Sequence, residues 1–261
     1  MTQPRHTWDP DRYLAFADER GRPFAELVAR IDLPDARAVV DLGCGPGTMT
    51  ALLAARWPDA DIRGVDSSPE MIAKAVQLGG GARYEVGDVR TWIPAAPVDV
   101  LVSNATLQWV PDHLALLPRL VASVRPGGWF AFQVPGNFDE PSHTIRAALA
   151  AEEPYAAHTA GVAAPDAHDA ATYWRTLTEL GCAVDAWETT YLHVLTGQDP
   201  VFTWVSGTGA RPTLLALEEP GLRAAFESEF KARLRAAYPE TGHGVVLPFR
   251  RVFVVARVPA A

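Results

Sequence analysis

The chain has 261 residues, 21% charged and 48% hydrophobic, which is the composition of a folded domain and not of a disordered chain. Its formal charge is −8, from 23 basic and 31 acidic residues, which argues against nucleic-acid binding as its main task. Two cysteines, Cys44 and Cys182, are too few for a disulfide framework and lack the CxxC spacing of a metal site, so no metal and a reducing cytoplasm are expected. The opening residues carry acids and no long apolar core, and no run of about 18 apolar residues occurs. Neither a leader nor a membrane span is predicted.

In chain order, residues 11–31 read as a helix with Leu14, Phe24, Leu27, Val28 and Ile31 apolar and Pro23 as a kink or break near its middle. Residues 38–42 form a short β-branched run that stops in glycines, the pattern of a buried strand entering a tight loop. A helix over 48–57, a strand over 62–66 and a helix over 69–78 follow, the last with Ser68 and Pro69 as its cap and first residue. Strands are predicted at 84–86, 98–102 and 129–134, with a helix over 112–124 and a turn at Pro126-Gly127-Gly128. Strands alternating with helices at this spacing predict a parallel sheet covered on both faces. Residues 136–168 resist assignment. A helix over 170–180 stopped by Gly181, a strand over 184–195, helices through 200–238 and a strand over 245–258 complete the chain. The expected fold is α/β: a Rossmann-like, mostly parallel seven-stranded sheet with helices on both faces and a helical cap over the substrate site. One domain, 1–261, is expected, with a cofactor-binding core over 38–135 and cap elements over 136–180 and 199–240.

The loop Asp41-Leu42-Gly43-Cys44-Gly45-Pro46-Gly47 is the most informative stretch. Glycines permit positive φ and let a ligand approach bare backbone. A dinucleotide fingerprint needs a glycine at the sixth position of G-x-G-x-x-G, and that position is Thr48. The spacing is instead G-x-G-x-G with an acid two residues ahead. VVDLGCGPG resembles motif I of the class I S-adenosylmethionine-dependent methyltransferases. So do the acid Asp66 at the next strand end, Gly87-Asp88, and SNATLQWV at 103–110, in that order. In an open parallel sheet, ligands bind outside the carboxyl ends of the strands.

The resemblance implies S-adenosylmethionine as cofactor and S-adenosylhomocysteine as product. It implies that Asp66 accepts from the ribose hydroxyls, a task suited to a carboxylate. Asp88 corresponds to the adenine contact, Asn104 lies near the methionine moiety, and Asp41 lies near the positive amine and sulfonium. Gly43, Cys44, Gly45, Gly47, Ser67, Met71 and Val89 complete the cofactor-binding set. Cys44 has no base near it in sequence and reads as a small packing residue within the loop.

Segments outside these motifs resemble the trans-aconitate 2-methyltransferases: the opening WDPDRYLAF, W187-E-T-T-Y191, W204-V-S-G-T-G-A-R-P212 and L247-P-F-R-R-V-F-V-V-A-R257. This implies esterification of one carboxylate of a small polycarboxylic acid. Methylation of another small acceptor on carbon or nitrogen, and a non-catalytic cofactor-binding regulator, remain open. A carboxylic acid of pKa about 4 is already ionised at neutral pH, so no catalytic base is expected. His113, the tempting candidate, is read as a surface or capping residue. Arg211 and Arg250 are the candidate carboxylate clamps, because a planar guanidinium grips both oxygens. Tyr13, Gln108 and Trp109 are the candidate walls of the acceptor site. The expected partner is a small carboxylic acid, with no nucleic acid and no membrane, and the chain is expected to be a monomer or weak homodimer.

Overall fold

The computed structural model describes residues 21–162 and 164–260. Tyr13 and the first half of the predicted 11–31 helix lie outside them. The described chain opens in helix α1 (Gly21–Ala29), which buries Phe24, Leu27 and Val28. There follow β1 (Ala38–Leu42), α2 (Thr50–Arg56), β2 (Asp61–Asp66), α3 (Pro69–Leu78), β3 (Arg83–Val86) and β4 (Val98–Asn104). Helix α3 starts as its sequence requires: the Ser68 side chain accepts from Met71 N, with Pro69 behind it. The predicted helix over 112–124 is instead a 3₁₀ turn, His113–Leu116, followed by α4 (Leu117–Ala122). Pro118 has no N–H to donate to the turn before it, so the α-helical ladder starts afresh at Leu117, with the proline in its first turn.

Next come β5 (Val124–Pro135), α5 (Pro141–Ala150), α6 (Ala156–Thr159), α7 (Ala170–Glu179), β6 (Ala183–Leu195), α8 (Pro200–Ser206), α9 (Arg211–Ala216), α10 (Pro220–Ala237) and β7 (Val245–Arg257). The seven strands form one sheet in the order β3-β2-β1-β4-β5-β7-β6. The pairs β1–β2, β1–β4, β2–β3 and β4–β5 are parallel. Strand β7 runs antiparallel to β5: Val258 N donates to Gly128 O and Gly136 N donates to Arg250 O, each at 2.9 Å. The predicted Pro126-Gly127-Gly128 turn is an irregularity inside β5. Val98 pairs with Val124 but Val100 pairs with Trp129, so the extra residues bulge out where Gly127 takes φ 74°.

The chain divides into two compact units. The first takes the chain up to Val134, His168–Glu188 and the end from Val252; the second takes Pro135–Ala167 and Thr189–Arg251. In the first unit, β1 and β4 are buried almost end to end, as strands covered on both faces must be. Helix α7, placed among the cap elements by the sequence, belongs to this unit and packs Tyr173 edge-on against Phe132 of β5. The other expected cap helices are in the second unit, which has its own core around Leu149, Leu214, Phe226, Phe230 and Leu234. The 136–168 stretch holds α5 and α6. Its alanines carry little periodic signal, which is why it resisted assignment.

Asp99 of β4 ties three segments of the first unit together. One carboxylate oxygen accepts from the backbone N–H of Arg37 at 2.6 Å and Ala38 at 2.8 Å; the other pairs with Arg125. Burial pushes its pKa up, but Arg125 and the two N–H groups outweigh this and hold it below the ordinary carboxylate value. A depressed folded pKa contributes stability above the unfolded value that is lost as pH falls through the folded one. Asp99→Asn is therefore expected to lower stability by about 1–3 kcal/mol at pH 7. The gap from wild type should close in urea titrations repeated below about pH 4.

Candidate functional site

Parallel register brings the strand ends of the first unit to one edge. Leu42 pairs with Val65, Asp66 with Val86, Asp41 with Val102 and Asn104 with Gln133. The residues after β1, β2, β3 and β4 therefore meet along that edge, as the motif order requires.

The glycine loop is built backbone first. Val65 O accepts from Gly43 N at 2.7 Å and from Cys44 N at 3.0 Å. Gly43, Gly45 and Gly47 all take positive φ, at 87°, 55° and 83°. Their surroundings differ. A Cβ on Gly43 would lie 2.0 Å from Thr106 Oγ1, and one on Gly47 would lie 2.7 Å from the Tyr84 hydroxyl. A Cβ on Gly45 meets nothing within 4 Å. Gly43 and Gly47 are thus glycines for packing, and Gly45 is where the loop leaves room. Thr106 donates to Gly43 O at 3.3 Å, so the β4 end and the loop hold each other. Ala105 beside it sits at φ 52°, a strained conformation for a residue with a side chain.

Asp66 is half-buried at the end of β2, with Oδ2 accepting from Gly45 N and Oδ1 from Ser68 N, both at 2.9 Å. Two fixed N–H donors orient the carboxylate and leave each oxygen a second lone pair. Asp41 is 1% exposed and accepts from Thr50 Oγ1 at 2.7 Å. Burial pushes its pKa up to about 6, with Asp66 adding to the rise and the Thr50 hydroxyl opposing it. Burial, then the charges of Asp41 and Asp66, push the Cys44 thiol up to about 12, so it is inert packing against Gly64.

The other candidates are placed as follows. Asp88 is gripped by Arg90, whose Nε lies 3.0 and 2.9 Å from the two oxygens, and it also accepts from Arg90 N at 2.8 Å. Those contacts hold its pKa low and occupy much of its acceptor capacity. Val89 is buried, and its carbonyl accepts from Arg119 Nη2 at 2.7 Å. Ser67 is exposed and Met71 half-buried. Asn104 Oδ1 accepts from Gln133 Nε2 at 3.1 Å. Gln108 is buried, its Nε2 donates to Ala105 O at 2.6 Å, and its Oε1 is a buried acceptor with no donor. Trp109 next to it is 41% exposed.

In the second unit Arg211 is exposed. Arg250 is half-buried, and Arg251 is buried with its guanidinium 4.6 Å from the Phe249 ring centre. Thr50, Tyr84, Thr106 and Arg119 escaped sequence reasoning, since each acts through a contact that only the folded chain makes. No helix among the described residues is long and apolar enough to cross a membrane.

His113 is buried, not on the surface. Its Nδ1 lies 3.3 Å from Val110 O, which can only accept, so Nδ1 carries the proton. Nε2 then accepts from the Tyr173 hydroxyl at 2.6 Å, and that hydroxyl accepts from His168 N at 3.1 Å. With both ring nitrogens engaged, the imidazole is a structural link between the post-β4 turn and α7.

A methyltransferase domain model matches residues 15–186. The trans-aconitate 2-methyltransferase of Streptomyces avermitilis is 51% identical, over 97% of this chain and 98% of its own length. That of Rhodococcus jostii is also 51% identical, over 96% and 99%. The YcgJ protein of Bacillus subtilis has a similar fold at 12% identity, with a TM-score of 0.59 over 92% of this chain and 99% of its own.

Two outcomes are expected from this geometry. Gly43→Ala must force Thr106 aside at a disfavoured φ and should cost well over 2 kcal/mol, whereas Gly45→Ala meets only the φ penalty of about 1–2 kcal/mol. Equal losses in thermal unfolding would show that the loop glycines are not distinguished by packing. His113→Ala strands the Tyr173 hydroxyl and should lower stability by about 1–3 kcal/mol. It should leave turnover at 20–25 °C within about threefold of wild type; a hundredfold fall in kcat with the fold intact would make His113 a catalytic base.

Proposed function

Since the chain belongs to the trans-aconitate 2-methyltransferases, within the methyltransferase-domain family, we propose that it transfers a methyl group from S-adenosylmethionine to one carboxylate of trans-aconitate. The observation that carries this reading is the reach of the similarity. Identity of 51% runs over 97% of the chain and so through the second unit, where a shared cofactor fold alone would demand no likeness. The acidic net charge supports a small-molecule acceptor over nucleic acid, and the two buried free cysteines support a cytoplasmic location; action as a monomer or weak homodimer away from the membrane belongs to the same proposal.

The residues present fit the cofactor. The cradle at Gly45 is open, Asp66 beside it is an oriented carboxylate with spare lone pairs, and Asp41 and the orphan Gln108 Oε1 offer negative potential at the same edge. When bound, S-adenosylmethionine supplies a methyl carbon made electrophilic by its sulfonium. Asp66 would hold the ribose hydroxyls. Asp88, held by Arg90 through both oxygens, would accept from the adenine amine by sharing or exchanging one of those contacts, with Val89 as an apolar neighbour. Asp41 lies beneath the loop and favours the positive end of the ligand through its charge.

The acceptor needs little chemistry from the chain. An ionised carboxylate is a nucleophile, so the protein must align oxygen, methyl and sulfur and exclude water. With an ionised carboxylate as acceptor, the residues present would have no proton to remove from it. The engaged state of His113 supports a mechanism without a histidine base. Arg211 and Arg250 remain the proposed clamps for the non-reacting carboxylates, and Tyr13, Gln108 and Trp109 the proposed walls. Product analysis tests the reading: the protein with S-adenosylmethionine and trans-aconitate should form a monomethyl ester and S-adenosylhomocysteine in equal amounts. Product formation with amines or carbon acids and not with carboxylic acids would overturn it.

Two variants test the cofactor residues. Asp66→Ala removes charge-assisted hydrogen bonds worth about 1.5–3 kcal/mol each, so affinity for S-adenosylhomocysteine should fall at least tenfold by calorimetry. An unchanged affinity in a folded variant rejects the ribose role. Asp41 predicts opposite effects on stability and binding. Its folded pKa of about 6 lies above the unfolded value, so the free protein loses stability as pH rises from about 4 to 6, by up to about 3 kcal/mol. Asp41→Asn should therefore stabilise the free protein at pH 7. Wild type should bind S-adenosylhomocysteine more tightly at pH 7 than at pH 5, and Asp41→Asn should abolish that rise; identical pH profiles would remove Asp41 from the binding chemistry.

A further inference from the structure

Several arginines within the described residues have a visible counterpart. Arg125 pairs with Asp99, Arg235 with Asp199, and Arg233 with Glu152 and Glu229. Arg119 and Arg56 donate to backbone carbonyls. Arg146 of α5 is different. It is half-buried, its Nη1 donates to Thr213 Oγ1 at 2.8 Å, and its Nε is buried with no acceptor. Among the described residues no carboxylate lies within ion-pair distance of it. Burial holds its pKa below the ordinary arginine value, so the guanidinium is desolvated without the anion that normally offsets that cost. Its neighbour His143 is no counter-charge: burial and the charge of Arg146 push that imidazole down to about 4, leaving it neutral.

Arg146 and Thr213 line a pocket of about 400 Å³ that lies wholly in the second unit. Its remaining wall is largely alanine methyls, including Ala147, Ala150, Ala156 and Ala160. The volume falls in the range of small-molecule sites, roughly 300–1,000 Å³. A planar fork and a hydroxyl set against an apolar wall match a carboxylate on a short aliphatic body. A polyphosphate would need more cationic charge than one arginine supplies.

We propose that this pocket binds the carboxylate of a small aliphatic acid, with Arg146 gripping both oxygens and Thr213 completing the cradle. The bound group is either a non-reacting carboxylate of the methyl acceptor or a second acid that is not methylated. The carboxylate pocket stands on its own residues; only its occupation by the acceptor rests on the methyl-transfer reading.

The test compares wild type, Arg146→Gln, Arg146→Lys and Ala147→Leu. Ala147 is exposed on α5, so leucine there fills the pocket at no cost to the core. Two measurements are made: steady-state constants with trans-aconitate, and calorimetric titration of trans-aconitate and of butyrate into the protein loaded with S-adenosylhomocysteine. If the acceptor occupies the pocket, Arg146→Gln and Ala147→Leu should raise the trans-aconitate KM at least tenfold while kcat changes less than threefold. Arg146→Lys, which keeps the charge and loses the fork, should fall between. If a second acid occupies it, KM stays as in wild type. Butyrate then binds the wild type even with trans-aconitate saturating, and its affinity falls at least tenfold in both variants. Unchanged melting temperature and S-adenosylhomocysteine affinity in Ala147→Leu show that the fold is intact. The proposal is overturned if Arg146→Gln and Ala147→Leu match wild type for both acids. If wild type esterifies no acid, the methyl-transfer reading fails by itself, and the two titrations still decide the pocket.

Discussion

The carboxylate of Asp66 is the joint on which the site turns. One oxygen holds Gly45 N and the other holds Ser68 N. It thereby fixes the glycine loop after β1 to the start of α3 after β2. Asparagine, of the same size, could not hold the loop this way, because it has one acceptor oxygen where two N–H donors need two. The parallel pairing of β1 with β2 sets the distance across which that joint acts. The same pairing places Val65 O under Gly43 N and Cys44 N, so the loop hangs from β2 before it meets any ligand.

Around this joint, burial and charge oppose each other. Asp41 sits within the first unit, close enough to Asp66 for their charges to interact, and its pKa rises accordingly. Free energy stored in two neighbouring carboxylates is released when a cation arrives, so the stability cost of the empty loop and its preference for a cationic ligand have one cause. Functional edges commonly carry such local costs, and the left-handed Ala105 beyond β4 is a second example here. The second unit shows the complementary pattern, with a desolvated arginine and no acid beside it.

Much of this was legible from residue order. The runs at 38–42, 62–66 and 69–78 match β1, β2 and α3 to within a residue, because β-branched runs ending in glycine and a Ser-Pro helix start are local signals. The helix predicted over 112–124 was not one helix, since Pro118 interrupts a pattern that is apolar enough on both sides to look continuous. The stretch 136–168 was opaque for the opposite reason: alanine-rich helices have little contrast between faces.

The sequence by itself determined the class of protein and the strand-by-strand plan, because these depend on spacing and on residue chemistry that no partner can change. Tertiary structure alone decided what each candidate residue is free to do. Gly43 and Gly47 turned out to be packing glycines because Thr106 and Tyr84 stand over them. Asp88 shares its carboxylate with Arg90, His113 is locked between Val110 and Tyr173, and Arg146 is left without an acid. Hydrogen-bond capacity is finite and is allotted by neighbours brought together from distant parts of the chain, and that allotment is set only when the chain folds.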